Sequence, residues 1–296
     1  MRFVGEIAAL GGAFFWGICA IMFERAGKRI GTYNTNLIRL IMASVLLSIT
    51  LFFTKGMLLP MHADATNIIW LGLSGVVGLV IGDGALFKSL VILGSHRMTL
   101  LLSLAPPITT VVAWIFLGET LGLMALVGIT VTILGIFWVV NGEHHEESIH
   151  GSKFKGVILG LIGATGQAVG LVLAKYGLRT EIDPLSATLL RMVPSSIIML
   201  AMGLAAGRLK PILAAMRNKL GMIDTFGGAF FGPYLGVWMS LIAIKYTKTG
   251  IASTLMATVP VIILPMLMII YKTKPTMRAV VGSVVTVAGI ALLFLR

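Results

Sequence analysis

Charged residues are scarce in this chain of 296 residues: Asp, Glu, Lys and Arg make up 11% of it, whereas 57% of the residues are hydrophobic. The mean hydropathy is +1.00. A soluble domain uses about a quarter of its residues as charged groups. The scarcity therefore excludes a soluble globular protein, because most of this chain's surface must face something other than water.

Cysteine is nearly absent as well, since Cys19 is the only one in the chain. A single cysteine excludes an internal disulfide, and its place in an apolar segment favours simple packing. The chain also lacks a Walker A pattern, which excludes ATP drive within it. His144, His145 and His150 share one polar segment without partners at zinc spacing. We therefore expect neither a metal nor a cofactor.

In place of charge, the chain has ten stretches free of Asp, Glu, Lys and Arg. They cover residues 7–23, 40–54, 65–82, 98–118, 120–142, 156–174, 192–207, 225–244, 249–271 and 279–295. Each is about as long as a helix needs to cross a bilayer core. We predict an all-α polytopic membrane protein with ten transmembrane helices, located in a bacterial or archaeal plasma membrane. Its first span is expected to be an uncleaved helix rather than a signal peptide.

The net charge of +12 raises nucleic acid as a partner. In a membrane protein, however, Lys and Arg collect in cytoplasmic loops and meet anionic lipid. We therefore expect membrane lipids, and not nucleic acid, as partners. Loops that follow odd-numbered spans carry more Lys and Arg than the other loops and termini. By the positive-inside rule, this distribution places both termini outside.

The two halves of the chain resemble each other. Val127–Ile136 and Val281–Ile290 share the pattern V-G-x-x-V-T-x-x-G-I at an offset of 154 residues. Earlier in each half, Gly12-Ala13 matches Gly163-Ala164 at an offset of 151, and Arg39 matches Arg191 at an offset of 152. Several matches in the same order indicate an internal repeat.

The repeat has a consequence for topology. We predict a first five-helix repeat at 1–142, a polar linker at 143–155 and a second repeat at 156–296. Because five is odd, the repeats must cross the membrane in opposite orientations. Such inverted repeats are typical of transporters that bind substrate near the midplane, between the repeats.

A series of motifs resembles the EamA-type family of the drug/metabolite transporter superfamily. The motifs are Gly12-Ala13-Phe14-Phe15-Trp16-Gly17, Arg39, Ile81-Gly82-Asp83, Phe87-Lys88-Ser89-Leu90, Leu104-Ala105-Pro106, Leu117-Gly118-Glu119 and the helix with Gly128 and Gly135. The resemblance covers the whole chain, although Tyr271-Lys272-Thr273 replaces Leu-Gly-Glu in the second half.

The resemblance implies a transporter and not an enzyme: an exporter or exchanger of small polar metabolites, amino acids among them. It also implies a central cavity lined mainly by spans 1, 3, 4, 6, 8 and 9. The family places both termini in the cytoplasm, the reverse of what the loop charges indicate, so the orientation stays open.

Asp83 is the only acidic residue well inside a predicted span, and Lys88 follows five residues later. An ionised group at that depth is costly unless it pairs or meets water, so it usually faces a cavity. Five residues turn a helix by about 140°, so Lys88 lies on another face and can extend to the membrane surface. We predict that both line the substrate pathway. The alternative for both is an interhelical ion pair that only positions the spans.

Six further residues are candidates for the same pathway. Arg39 and Arg191, near the starts of spans 2 and 7, can bind an anionic substrate group or reach lipid headgroups, and the headgroup interpretation is favoured. The aromatic and amide candidates are Trp16, Gln167, Tyr234 and Trp238. Gln167 is the strongest of these four, because a buried amide in hydrocarbon needs a partner.

Proline and glycine occur at matching places in the two halves. Pro106 and Pro260 are predicted to flex spans 4 and 9, since proline frees backbone carbonyls and kinks helices, and static curvature is the alternative. Small residues let another helix approach closely. The candidates for such packing are Gly128, Gly135, Gly282 and Gly289. They fit the dimer-forming helix of small multidrug transporters and packing within one chain equally, so monomer and homodimer both stay open.

Two other functions remain as alternatives. A lipid-translocating flippase would have the same composition. An intramembrane protease is disfavoured, because the G-x-S-G string at Ser74 has no membrane-level histidine other than His96 in a loop. An aspartyl protease would need Asp224, at the edge of a span, close enough to Asp83 to share a proton.

Overall fold

A computed structural model describes residues 3–93, 98, 101–102, 104–141, 152–179, 181–259, 261–262 and 276–294, and no strand occurs in these ranges. The helices of the first half are α1 (Val4–Ile30), α2 (Thr32–Lys55), α3 (Ala65–Gly75), α4 (Asp83–Leu93), α5 (Ala105–Leu117) and α6 (Leu123–Asn141). Those of the second half are α7 (Lys153–Gly177), α8 (Pro184–Ala205), α9 (Leu209–Arg217), α10 (Lys219–Ala229), α11 (Val237–Tyr246), α12 (Thr249–Met256) and α13 (Met277–Phe294).

Five helical segments of the described chain are long and apolar enough to cross a membrane. They are Thr32–Lys55, Ala65–Leu90, Lys153–Gly177, Pro184–Ala205 and Lys219–Tyr246, and four shorter apolar helices cover Val4–Cys19, Ala105–Leu117, Leu123–Trp138 and Val280–Leu292. The predicted all-α polytopic class is confirmed. The count of ten spans stays a prediction, because the stretch 249–271 lies partly outside the described residues. Helix α7 begins at Lys153, inside the predicted linker, and residues 143–151 of that linker are also outside the described ranges.

Two of the long spans change from α- to π-helix at corresponding points. Val76–Gly82 forms a π-helical segment between α3 and α4, and Phe230–Gly236 forms one between α10 and α11. The two segments are seven residues each and are offset by 154, and both have glycine at their third and seventh positions. Glycine permits close packing here: a Cβ atom added to Gly82 would lie 3.3 Å from the backbone nitrogen of Gln167 on α7.

The repeats run in opposite directions, as contacts at one end of the bundle show. Lys55, the last residue of α2, forms an ion pair with Asp183, which precedes α8. Helices α2 and α8 are counterparts in the two repeats, so one ends where the other begins. In the same way, the Thr247 hydroxyl donates to Glu6 near the start of α1 at 3.0 Å. The backbone oxygen of Thr247 accepts a 3.0 Å hydrogen bond from Lys175 near the end of α7.

Contacts at the opposite end of the bundle follow the same rule. Arg29, near the end of α1, pairs with Asp224 on α10 at 2.5 Å. The Ser89 hydroxyl on α4 donates to the Gly156 oxygen in the first turn of α7 at 2.9 Å. We call this end the Arg29 face and the other end the Lys55 face.

Helices α6 and α13 pack against each other through their small residues. A Cβ atom on Gly135 would lie 2.5 Å from the Thr286 nitrogen, and one on Gly289 would lie 2.5 Å from the Thr132 nitrogen. Each threonine hydroxyl donates to the carbonyl four residues earlier, that of Gly128 or Gly282. The small-residue stripes of the two halves therefore cover each other within one chain.

Candidate functional site

A buried ion pair links α2 to the start of α4. Arg39 Nη2 donates to Asp83 Oδ2, and the two side chains are only 2% and 8% exposed. Arg39 Nε also donates to Asn36 Oδ1 at 2.8 Å. Asp83 directly follows the π-helical segment Val76–Gly82, so the change of helix type fixes where its carboxylate lies.

The second half of the chain contributes to the same place. Gln167, in the middle of α7, donates through Nε2 to Asp83 Oδ1 and to the Gly78 oxygen, the latter at 3.3 Å. Arg191 on α8 is 4% exposed and close enough for its positive charge to act on Asp83. We call Asn36, Arg39, Asp83, Gln167 and Arg191 the charged cluster.

Two aromatic rings flank the Arg39 guanidinium. Its Cζ atom lies 5.1 Å from the ring centre of Phe23 and 5.0 Å from that of Phe87. A cation within about 6 Å of a ring face is attracted by the ring's quadrupole. The guanidinium is thus held by a carboxylate, an amide oxygen and two rings, which is why it tolerates burial.

Side chains of the charged cluster also satisfy the backbone of the π-helical segment. Asn36 Nδ2 donates to the Leu79 oxygen at 3.2 Å, and Gln167 donates to the Gly78 oxygen. Buried carbonyls need such partners, and π-helical turns often occur at functional sites. The irregular backbone and the buried charges therefore belong to one polar unit.

The expectation that Arg39 and Arg191 reach lipid headgroups is wrong, since both guanidinium groups lie inside the bundle. Helices α2 and α8 begin at Thr32 and Pro184. Each arginine is therefore about 10 Å along its helix at 1.5 Å per residue. Inside the bundle, the Asp83 carboxylate provides the stabilisation that water would give to an arginine at the membrane surface. Lys88, by contrast, is exposed and is not part of the charged cluster.

The aromatic candidates lie around the second π-helical segment. Trp16 packs against Gly236, whose added Cβ atom would lie 3.1 Å from Trp16 Nε1. The Tyr234 and Thr50 hydroxyl oxygens are 2.9 Å apart. Trp238 lies next to Tyr234, with ring centres 6.1 Å apart. Cys19 packs against Gly232, as expected for an apolar cysteine.

Two cavities open at the Lys55 face. The first, of about 330 Å³, is lined by Thr54, Lys55, Asp183, Pro184, Leu185, Trp238, Ile242 and Tyr246. The second, of about 290 Å³, is lined by Lys175, Lys245, Tyr246, Thr247 and Lys248. Neither lining includes Asp83, Arg39 or Arg191, and all three are buried, so these charges are enclosed in this conformation.

Asp183, on the rim of the first cavity, lies outside the membrane-spanning segments. Its partial burial opposes ionisation, but hydrogen bonds from Lys55 and Ser186 outweigh that effect and hold the pKa of the carboxyl below its ordinary value of 3.8. One of these bonds comes from the Ser186 backbone at 3.0 Å, so the carboxylate also caps α8.

The prolines are only partly described. Pro106 lies in the first turn of α5, where proline breaks no helical hydrogen bond. Pro260, its counterpart, lies outside the described residues, as do His96, His144, His145 and His150. A role of the two prolines in flexing remains a prediction.

The structure adds residues that the sequence analysis does not single out. Asn36 and Phe23 complete the surroundings of Arg39 together with Phe87, which was noted only as part of a motif. An amide within an apolar span was the available signal for Asn36. Glu119 was noted only as part of a motif. It accepts hydrogen bonds from the Thr249 nitrogen at 2.6 Å and the Thr249 hydroxyl at 3.0 Å, which fixes the start of α12.

The protease motifs have structural explanations. The buried Ser74 hydroxyl donates to the Gly170 oxygen at 2.5 Å and so joins α3 to α7. Asp224 is paired with Arg29 at the Arg29 face, whereas Asp83 is paired with Arg39 inside the bundle. Within the described residues, no three His, Cys, Asp or Glu side chains form a metal-binding group.

Comparison with known proteins agrees with this architecture. A family model described as the EamA-like transporter family matches residues 3–141 and again 154–295. One solved structure, a crystal structure of a protein, aligns with 100% of this chain and 98% of its own at 13% identity, with a TM-score of 0.77. At that identity the likeness shows the fold alone. No curated protein matches the chain.

Proposed function

The chain belongs to the EamA-like transporter family, and from that premise we propose that it is a secondary transporter of small polar metabolites such as amino acids. It acts as an exporter or exchanger in the plasma membrane of a bacterium or archaeon. The two repeats alternate access to a site near the midplane.

The charged cluster is the observation that carries this proposal. Ionised groups inside membrane spans are costly, and in membrane proteins they mark solute and ion pathways. Here Arg39 and Asp83 come from the first repeat, and Gln167 and Arg191 come from the second. A site shared in this way changes shape whenever one repeat moves against the other.

The enclosed state of the cluster supports an alternating cycle. The 330 Å³ cavity at the Lys55 face, with Trp238 on its wall, is the entrance from that side. The matching π-helical segments Val76–Gly82 and Phe230–Gly236 are the places where the spans depart from regular helix. Movement at these segments opens the cluster toward one face or the other. If the cycle is proton-coupled, Asp83 carries the proton.

Counterflow in proteoliposomes tests the proposal. Vesicles containing the purified chain are loaded with a mixed pool of unlabelled amino acids and organic acids, and uptake of each labelled member is followed from a dilute outside solution. The proposal predicts transient accumulation of at least one solute above protein-free vesicles. If no solute accumulates in vesicles whose protein is folded, but a fluorescent lipid changes leaflet, the chain translocates lipid and the proposal is wrong.

A further inference from the structure

Arg191 is a buried arginine whose Nε atom lacks a hydrogen-bond partner among the described residues, although its charge acts on Asp83. This Nε atom is inaccessible, and the Arg191 residue as a whole is 4% exposed. The guanidinium lies against the π-helical segment, where a Cβ atom added to Gly78 would be 3.3 Å from Arg191 Nη2. Arginine presents five N–H donors, so this position has unused binding capacity.

Arg39, the counterpart of Arg191 in the first repeat, shows what a satisfied arginine needs in this fold. It donates to Asp83 and to Asn36, and it lies between the rings of Phe23 and Phe87. Burial of an arginine at this position of the repeat therefore does not by itself leave the guanidinium without hydrogen-bond partners.

The second repeat has different residues at the positions that match those partners. By the repeat offsets, the counterparts of Phe23, Asn36, Asp83 and Phe87 are Ala174, Thr188, Val237 and Leu241. Three of them are apolar and buried. The fourth, Thr188, uses its hydroxyl to donate to the Pro184 oxygen at 2.7 Å. None of these four counterparts offers Arg191 a negative charge.

The charge of the cluster is consequently unbalanced. Two guanidinium groups face one carboxylate, and that carboxylate is already bound by Arg39 and Gln167. An uncompensated buried charge is strongly destabilising. Ionisable residues inside membrane spans mark substrate and ion pathways, and an anion bound beside Arg191 would balance its charge.

Resting on the proposed function, we propose that Arg191 binds the carboxylate of the transported solute, while Asp83 remains with Arg39. The solutes of this transporter are therefore carboxylates, and neutral analogues are rejected. A guanidinium matches a carboxylate with two parallel hydrogen bonds. Hydrogen bonds between charged groups of this kind correspond to about a tenfold to hundredfold difference in affinity.

The first arm of the test measures thermal unfolding of the full-length protein in detergent, with sodium acetate as the probe and sodium chloride at equal ionic strength as the reference. Acetate should raise the midpoint of the wild type relative to chloride. Arg191→Met should unfold at a higher temperature than the wild type without acetate, because it removes the uncompensated charge, and should lose the acetate shift. Arg208→Met, at an exposed arginine that lies over Tyr33, should keep the shift.

The second arm measures counterflow with pairs of labelled solutes, each carboxylate against its amide. Where the wild type exchanges the carboxylate of a pair, the flux of the amide should be lower by about tenfold or more. Arg191→Gln should reduce the flux of the carboxylate, and Arg191→Lys should recover part of that flux.

Several results overturn the inference. One is an acetate shift that Arg191→Met retains. Another is the absence of any shift, relative to chloride, with acetate or with the mixed pool of acids. The last is equal flux of amides and acids. The last result would leave the transporter proposal standing. Failure of all counterflow in folded protein would instead remove the proposed function.

Discussion

Asp83 and Gln167 belong to opposite halves of the chain, yet the Gln167 amide donates a hydrogen bond to the Asp83 carboxylate inside the bundle. The same amide group donates to the Gly78 oxygen of the π-helical segment. Gln167 therefore connects the second repeat to both the charge and the irregular backbone of the first. The site therefore forms only where the two repeats pack together.

Replacing Gln167 by leucine should lower the stability of the protein. The variant keeps the volume of the side chain but leaves Asp83 Oδ1 without the Gln167 donor, whereas the Gly78 oxygen keeps its hydrogen bond from the Asp83 backbone nitrogen. An unsatisfied buried group costs about 1–3 kcal/mol. The thermal midpoint in detergent measures the effect. Thr165→Val, on the exposed face of the same helix, is the matched control and should change little. Equal midpoints for the two variants would show that the amide contributes nothing to the fold.

The two arginines of the cluster should respond to mutation with opposite signs. Arg39→Met leaves Asp83 without its ion-pair partner inside the bundle, and breaking a buried pair costs about 3–5 kcal/mol. The thermal midpoint should therefore fall, whereas that of Arg191→Met should rise in the absence of solute. A fall of similar size in both variants would contradict the view that only Arg39 is neutralised.

Close packing of α6 and α13 should make Gly135 intolerant of a methyl group. In Gly135→Ala the new Cβ would lie 2.5 Å from the Thr286 nitrogen and 2.9 Å from the Gly282 oxygen. Overpacking of this kind costs about 1–3 kcal/mol. Gly11→Ala is the control, because nothing lies within 4 Å of its added Cβ, and alanine favours the helix by about 1 kcal/mol. If Gly135→Ala instead keeps its midpoint and only dissociates a dimer, the packing assignment is wrong.

The pair of Lys55 and Asp183 gives a pH dependence at the Lys55 face. Because the pKa of Asp183 is lowered from its ordinary value of 3.8, the pair stabilises the fold above that value and loses the contribution as pH falls through the lower folded pKa. Asp183→Asn keeps a cap for α8 but removes the charge, and should cost less than about 1 kcal/mol since both side chains are partly exposed.

Thermal midpoints of wild type and Asp183→Asn between pH 8 and pH 3 test this dependence. The gap between them should be constant from pH 8 to pH 5 and should close below about pH 4. A gap that widens on acidification would mean that another group is responsible.

Patterns along the chain were enough to predict much of the fold. Stretches free of charge predicted the long helices, and the match between Val127–Ile136 and Val281–Ile290 predicted the repeat. These signals are local, because the lipid around each helix requires an apolar segment and the loop at each end allows charged residues. Asp83 and Gln167 were predicted for the pathway because a polar group in hydrocarbon needs a partner.

What the sequence did not predict depends on how helices pack. Whether Arg39 reaches the membrane surface or Asp83 is decided by the position of α2 against α4, which no single segment encodes. The π-helical segments were hidden for the same reason, although the paired glycines at 78 and 82 and at 232 and 236 were a visible signal. Asn36 gained its role only when the Leu79 oxygen came within reach.

The central claim is that the charged cluster around Asp83 is the solute site of a transporter. Counterflow of an exchanged solute by Asp83→Asn tests it most directly. Asp224→Asn is the matched control, because that acid is also paired with an arginine across helices, but at the Arg29 face. Because Asp83→Asn also removes the charge that balances Arg39, the variants are compared at equal amounts of folded protein. The account predicts that folded Asp83→Asn loses most of the counterflow and that Asp224→Asn retains it. Undiminished counterflow by Asp83→Asn, or equal loss in both variants, would contradict the account.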